Sequence, residues 1–374
     1  FALVHEESWK RMHRWIYSAA LLLTTTLTGC DNIAQSERDA APLSNKDIQT
    51  FSLGITHDLT NLPWRLADRR GLLAEIERQH QIRLDIVEFN NERRALQAYD
   101  NGDIDALTVS LNAMISSLEI SRHETHIPLI FGFSRGDYGI FSREISKPSQ
   151  LAQQQIHVPL GSSGHYLLFR ILEFNQLSLG NVTLIDTPEE SLIQDFITGR
   201  INTLVASGST FAQLRQLEDV SLVADSRSLF GEIVSGLAID STAINQHPEL
   251  AAMLVESWFI IMREFFGNSG NLLPDNTDEL IQLSNLPSAQ LNRYLGAHNF
   301  LRLPRHALQF MQGDNLQPAL LGTRRFREAA SIYQCTSSAV DACFIERNGD
   351  IITNGEGSRI LLDTRFLEEM LRTE

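Results

Sequence analysis

The hydrophobic pattern between residues 51 and 225 switches repeatedly between a two-residue and a 3.6-residue period, and few folds accommodate that. FSLGITH (51–57) alternates and is rich in strand formers. WRLADRRGLLAEIERQH (64–80) sets Leu66, Leu73 and Ile76 among charges, as an amphipathic helix does, and Gly71 marks where one helix ends and a short second begins. IRLDIVEF (82–89) alternates again, ERRALQAYDNGDIDALTVS (92–110) reads as helix, turn and strand, and HIPLIFGF (126–133) reads as a buried strand. The order is β-α-β-α-β, which implies a mostly parallel sheet with helices on both faces.

The same logic then repeats. IHVPL (156–160) is a strand, GSSG follows, and HYLLFRILEF (165–174) is an apolar helix. NVTLID (181–186) is a strand, and Thr187-Pro188-Glu189-Glu190 reads as a capping-box helix start with Pro at the first helical position. Leu192, Ile193, Phe196 and Ile197 form the buried stripe of that helix, and Gly199 stops it. INTLVAS (201–207) and VSLVAD (220–225) are further strands, and from His247-Pro248 the chain is helical through residue 266. Trp258, Phe259, Phe265 and Phe266 in that helix read as core. Helices follow, then a strand-like tail near 343–362. Two such units predict an α/β, two-lobed fold of the Venus-flytrap type, with mixed sheets flanked by helices. The expected lobes are 50–137 with 238–330, and 138–237, with 331–374 as a C-terminal tail. Ligands of open α/β sheets sit beyond the carboxyl ends of strands, so the loops after residues 57, 110, 160, 207 and 225 are the candidates.

With 374 residues, 43% of them hydrophobic, the chain can bury a core in each lobe. Its net charge of −15 argues against nucleic acid and against polybasic membrane binding. Near the N-terminus, Met12 is the best candidate start. Arg14 and the apolar stretch from Trp15 to Leu27 suit the middle of a signal peptide and are short for a membrane span. The stretch ends Leu27-Thr28-Gly29-Cys30, which resembles the bacterial lipobox, in which cleavage precedes a Cys whose thiol is lipidated. Residues 12–30 are therefore expected to be a lipoprotein leader and 31–49 a flexible tether. Asp31 resembles the residue that keeps enteric-type lipoproteins at the inner membrane. Cys335 and Cys343 could form a disulfide in an oxidising periplasm or stay as two small core residues.

From about residue 51 to about 265 the chain resembles the nitrate/sulfonate/taurine class of ABC-importer binding proteins. Pro63, Ala67 and Gly71 match that class at four-residue spacing, and Gly102-Asp103-Ile104-Asp105-Ala106 matches its turn before a strand. Ser134-Arg135-Gly136-Asp137 matches the segment where the chain crosses to the second lobe, and Asn245-Gln246-His247-Pro248-Glu249 a helix start after the return. Residues 158–177 and 182–202 match in residues and spacing. The resemblance breaks in the cleft loops. Asp58 stands near the position of a frequent aromatic, and Ser207-Gly208-Ser209 replaces a frequent Trp-Glu-Pro, so no member's substrate transfers.

Gly161-Ser162-Ser163-Gly164-His165 joins a strand to a helix N-terminus, where amides and the helix end favour a polar or anionic group and Ser162 and Ser163 add hydroxyl donors. Thr108, Ser110 and Asn112 either meet the ligand or cap a helix; His57, Asp58 and Thr60 lie in the first loop, where Asp58 could hold an ammonium group or cap the next helix. Ser134 at the crossing and Ser207 after its strand complete the polar candidates. Arg227 is either an anion clamp or a solvated side chain. His123 and His126 lack further metal ligands at useful spacing and read as a solvated turn. No metal or cofactor is expected. The resemblance implies a monomeric, lipid-anchored receptor at the periplasmic face of the inner membrane. It would deliver a small polar organic or anionic solute to an ABC permease and its ATPase. A sensing receptor is the alternative. An enzyme of thiamine-pyrimidine synthesis is the more remote one, since export and the lack of a cysteine-rich motif count against it.

Overall fold

The computed structural model describes residues 48–117, 124–267, 272–330, 344–347, 350–351 and 358–373. The leader, most of the tether, Cys30, Cys335, Cys343 and His123 lie outside the described residues. Strand β1 (Gln49–Thr56) leads to helices α1 (Leu62–Arg70) and α2 (Ala74–His80), strand β2 (Ile82–Phe89), helix α3 (Glu92–Asn101), strand β3 (Ala106–Ser110), helix α4 (Leu111–Ser117) and strand β4 (Thr125–Ser134). Gly71 ends α1 with φ +63°, a left-handed conformation that side chains disfavour.

After residues 135–137 the chain enters a different sheet. It forms β5 (Tyr138–Ser142), β6 (Gln155–Val158), α5 (Ser163–Phe174), β7 (Thr183–Asp186), α6 (Glu189–Ile197), β8 (Thr203–Ser207), α7 (Gly208–Leu214) and β9 (Ser221–Asp225). It then returns through β10 (Val234–Asp240), α8 (Ser241–Gln246), α9 (Pro248–Phe266), α10 (Thr277–Ser284), α11 (Ser288–Ala297), β11 (His298–Phe300), α12 (Pro304–Gln312) and α13 (Gln317–Ala330). Last come β12 (Phe344–Arg347), β13 (Asp350–Ile351), β14 (Ser358–Leu362) and α14 (Arg365–Thr373).

Among the described residues there are two mixed sheets. The larger runs β13-β12-β14-β4-β10-β3-β1-β2, with β11 also on β4, and the smaller runs β7-β6-β8-β5-β9. Their inner parts share one plan. In β2-β1-β3-β10-β4 the first three strands are parallel and β10 is inserted antiparallel; in β7-β6-β8-β5-β9 the inserted antiparallel strand is β5. Each inserted strand arrives from the other sheet, so the two crossings are locked into the middle of both lobes. All of β10 pairs within the larger sheet, which puts the return crossing between Asp225 and Val234, ahead of the 237/238 boundary expected from sequence.

The first core gathers β1, β3, β4 and β10 against α1 and α9. Trp258 is fully buried with its ring 4.7 Å from Phe131, and its Nε1 donates to the Leu301 carbonyl at 2.8 Å. The second core packs α5 and the strands β6 and β8, and Phe326 of α13 reaches it from the C-terminal helices to meet Tyr166 and Phe169. The C-terminal segment is not an appendage: β14 pairs parallel with β4, and Ile360, Leu362 and Leu367 are buried in the first core. His126 is accordingly buried, not in a solvated turn, and its Nδ1 lies 2.8 Å from Asp363 just after β14. Among the described residues no helix is long and apolar enough to cross a membrane.

Candidate functional site

A cavity of 220 Å³ lies between the lobes at the carboxyl ends of the strands. The first lobe lines it with Thr56, His57, Asp58 and Thr60 after β1, Asn91 and Glu92 after β2, and Thr108 and Ser110 at the end of β3. The second lobe supplies Tyr138 at the start of β5, Ser162, Ser163 and Gly164 after β6, Glu189 and Glu190 after β7, and Ser207 and Gly208 after β8. The lobes also touch directly. Ser163 Oγ donates to Ser110 Oγ at 2.7 Å, Asn91 Nδ2 to Glu190 Oε1 at 3.0 Å, and Arg93 Nη2 to Asp186 Oδ1 at 3.1 Å.

Three carboxylates dominate the electrostatics, and each stands at a helix start. Asp58 caps the turn before α1: its Oδ1 accepts from the Thr60 amide at 2.8 Å and the Tyr294 hydroxyl at 3.2 Å. Its Oδ2 lies 3.5 Å from where a Cβ on Gly208 would stand, so it reaches the opposite lobe. Glu92 opens α3 and accepts the Ser110 amide at 2.8 Å. Glu189 opens α6 and accepts the Ser207 hydroxyl at 3.0 Å. Burial, reinforced by the Asp58 charge, pushes Glu92 up to about 7 despite the bonds from Ser110. Burial, then the charges of Asp58, Glu92 and Glu190, push Glu189 up to about 7 against its bond from Ser207. Asp58 is raised too, chiefly by burial. Among the described residues no Lys or Arg lines this cavity.

Glu92 and Glu189 are not among the residues nominated from sequence, because each reads as an ordinary helix-start acid. The capping box expected at 187–190 does not form. Pro188 is the N-cap, the Thr187 hydroxyl meets Nδ1 of His157 at 2.9 Å, and Glu189 is thereby released toward the cleft. The recoverable signal is positional: Asp58, Glu92 and Glu189 each open a helical turn just past the carboxyl end of a strand.

The structure brings His57, Asp58, Thr60, Thr108, Ser110, Ser162, Ser163, Gly164 and Ser207 to one cavity. The Ser162 and Ser163 hydroxyls are not open donors, since Ser162 Oγ donates to the Pro159 carbonyl at 2.7 Å and Ser163 Oγ to Ser110. Four nominated residues lie elsewhere. Asn112 is buried under the return crossing, its Nδ2 on the Glu232 carbonyl at 3.1 Å and on Thr323 at 2.7 Å. His165 points away into the second core, edge-on to Phe326, and burial lowers it to about 4. Ser134 binds Asp137 and Ser226, tying the two crossings together, and Asp137 in turn holds His298 at 3.0 Å. Arg227 forks onto Asp225 in a second cavity of 300 Å³ behind the crossings, which Arg135, Arg215 and Arg293 also line. Among the described residues no group of three or more His, Cys, Asp or Glu is arranged to hold a metal ion.

No family model and no curated protein sequence matches the chain. Solved structures do. The periplasmic aliphatic sulphonate binding protein SsuA from Escherichia coli aligns with TM-score 0.61 and 14% identity over 76% of this chain and 94% of its own. The alkanesulfonate-binding protein SsuA from Xanthomonas axonopodis pv. citri, bound to MOPS, aligns with TM-score 0.57 and 16% identity over 72% and 94%. The periplasmic nitrate-binding protein NrtA from Synechocystis PCC 6803 aligns with TM-score 0.55 and 11% identity over 76% and 86%. With two mixed sheets of one plan, two crossings between them and a polar cavity where they face, this chain has the fold of the periplasmic solute-binding proteins.

Proposed function

We propose that this chain is an extracytoplasmic receptor that captures a small polar solute between its lobes and delivers it to an ABC importer. The observation that carries this reading is a polar cavity lined by strand-end loops of both lobes, bridged at Ser110 and Ser163. A solute touching both walls binds the closed arrangement better than the open one and so shifts the population toward it. A permease that recognises the closed form then distinguishes loaded from empty receptor. Kinship in fold with sulfonate- and nitrate-binding proteins supports the transport role.

The protein acts as a monomer, held by lipid on Cys30 at the periplasmic face of the inner membrane, with the importer's permease and ATPase as partners. Mass spectrometry of small molecules released on denaturing freshly purified protein tests the reading. One solute near equimolar amount, which then stimulates the importer's ATPase when the receptor is added back, is the expected result. A solute that the protein instead converts to product would replace the receptor reading with an enzymatic one. For the anchor, Cys30→Ser should move the protein from the membrane to the soluble periplasmic fraction.

A further inference from the structure

We propose that the solute held in this cleft is a small organic cation, its ammonium or amidinium donors shared between Asp58 and Glu92 of the first lobe and Glu189 of the second. The inference rests on the receptor reading for the site's purpose, but its content is the sign of the solute's charge.

Among the described residues Asp58, Glu92, Glu189 and Glu190 line the cavity, and no Lys or Arg does. His57, the one basic side chain there, turns its Nε2 to Glu88 at 2.8 Å. The donors that reach the three inner carboxylates are amides and hydroxyls: Ser110 for Glu92, Ser207 for Glu189, Thr60 and Tyr294 for Asp58. A guanidinium or ammonium is what such a group lacks, because like charges gathered in a poorly hydrated space are costly until an opposite charge joins them.

A second, independent observation points the same way. Asn61 lines the same cavity and is only 3% exposed; its Nδ2 is used on Thr56, at 3.0 Å to the hydroxyl, and its Oδ1 has no partner among the described residues. That oxygen is a buried acceptor beside the carboxylates that no protein donor satisfies. Of the hydroxyls on the wall, those of Ser162, Ser163 and Ser207 already donate to protein oxygens. Tyr138 adds an aromatic ring beside the carboxylates, the surface a cation prefers.

Neither the helix dipole nor a bound metal accounts for the cluster. Acids at helix starts are stabilised by the dipole. Glu92 and Glu189 are nonetheless pushed up to about 7, by burial first and then by neighbouring carboxylates. A metal ion would need ligands gathered around one point, and no such group exists among the described residues. The N-terminus of α5 does favour negative charge, but Ser162 caps it and it stands against four carboxylates. An anion has a better home in the separate arginine-lined cavity behind the crossings.

Isothermal titration calorimetry of the dialysed full chain with putrescine, agmatine, taurine and ethanesulfonate tests the proposal. Wild type, Glu92→Gln, Glu189→Gln and Arg215→Ala are compared, with thermal melts to confirm folding. The expected result is binding of putrescine or agmatine that weakens about tenfold or more in each Gln variant, is unchanged in Arg215→Ala, and is not competed by ethanesulfonate. Failure of both cations to bind overturns the proposal, as does ethanesulfonate binding that is unchanged or strengthened by Glu92→Gln and Glu189→Gln. Small-angle scattering separates the two readings. An anion that compacts the protein would leave the receptor standing and remove the cation; a cation bound through Glu92 and Glu189 without compaction would do the reverse.

Discussion

Glu189→Gln should stabilise the empty protein at pH 8 and leave it nearly unchanged at pH 5. The carboxyl titrates at an ordinary 4.5 in the unfolded chain and at about 7 in the folded one. Between those values the folded state holds the proton more tightly. Its contribution to stability is therefore fully present below pH 4.5 and lost as pH rises through 7. At about 1.4 kcal/mol per pH unit, the full separation corresponds to on the order of 3 kcal/mol at pH 8. Glu189 is partly solvated, and the charges of Asp58 and Glu92 across the cleft and of Glu190 beside it act on it, with Tyr138 facing them, so about 1–2 kcal/mol is the expected gain. Gln keeps the carbonyl that accepts the Ser207 hydroxyl, so that bond is not the source of the change. Urea denaturation of wild type and variant at both pH values reads the difference directly, and Asp363 does not interfere. Burial opposes ionisation of Asp363, but Arg365 and His126 more than offset it, so its contribution is lost only as pH falls below its ordinary 3.8. A Glu189→Gln protein no more stable than wild type at pH 8, or equally stabilised at both pH values, would refute the reasoning.

Three further outcomes follow from the geometry. Arg227→Ala should leave solute affinity within about twofold of wild type, because Arg227 forks onto Asp225 outside the cleft; a loss of tenfold or more would return it to the site. Glu232→Ala should cost about 2–4 kcal/mol in urea denaturation, since it leaves buried Arg170 with Glu173 alone in place of the acceptor at 2.7 Å and strips Tyr166 of its partner at 2.6 Å, whereas a loss under about 1 kcal/mol would mark it as a surface-like pair. Ser163→Ala removes the Ser110 contact between the lobes and should weaken solute binding about three- to tenfold in calorimetry while barely altering the melting temperature; unchanged affinity would deny that contact a part in closure.

The elements that stand out in the sequence are those with a period of their own. β2 falls on 82–89 as read, and the helix expected over 64–80 breaks at Gly71 into α1 and α2. The two inserted strands carry no such signal. β5 and β10 contain glycines, whose strand preference is poor. Packing accounts for the glycine of β5: a Cβ at Gly139 would come within 2.7 Å of Leu222 and Phe211 from the same lobe. A strand that completes a sheet begun far away in the chain is defined by its neighbours, which local periodicity does not reveal. Half of the candidate site is legible for the converse reason. Ser110 ends a strand, Asp58, Ser162 and Ser163 lie just beyond strands, and strand ends locate the cleft of an α/β sheet. What chain order hides is which polar groups are already satisfied. Asn112, Ser134 and Arg227 also follow strands, yet each is consumed by a partner far along the chain or, for Arg227, by Asp225 beside it. Glu92 and Glu189 look locally satisfied as helix-start acids, and only the facing of the two lobes makes them one group.

If one solute touches both walls of the cleft, filling it must hold the lobes together. Small-angle X-ray scattering of the purified chain, first freed of bound solute and then saturated with the solute that mass spectrometry identifies, measures this. A smaller radius of gyration on saturation, with Glu92→Gln and Glu189→Gln each raising the concentration needed, is the expected result. Saturation of the protein with its radius unchanged, or loss of binding on truncating one lobe's carboxylate but not the other's, would contradict a solute held between the lobes.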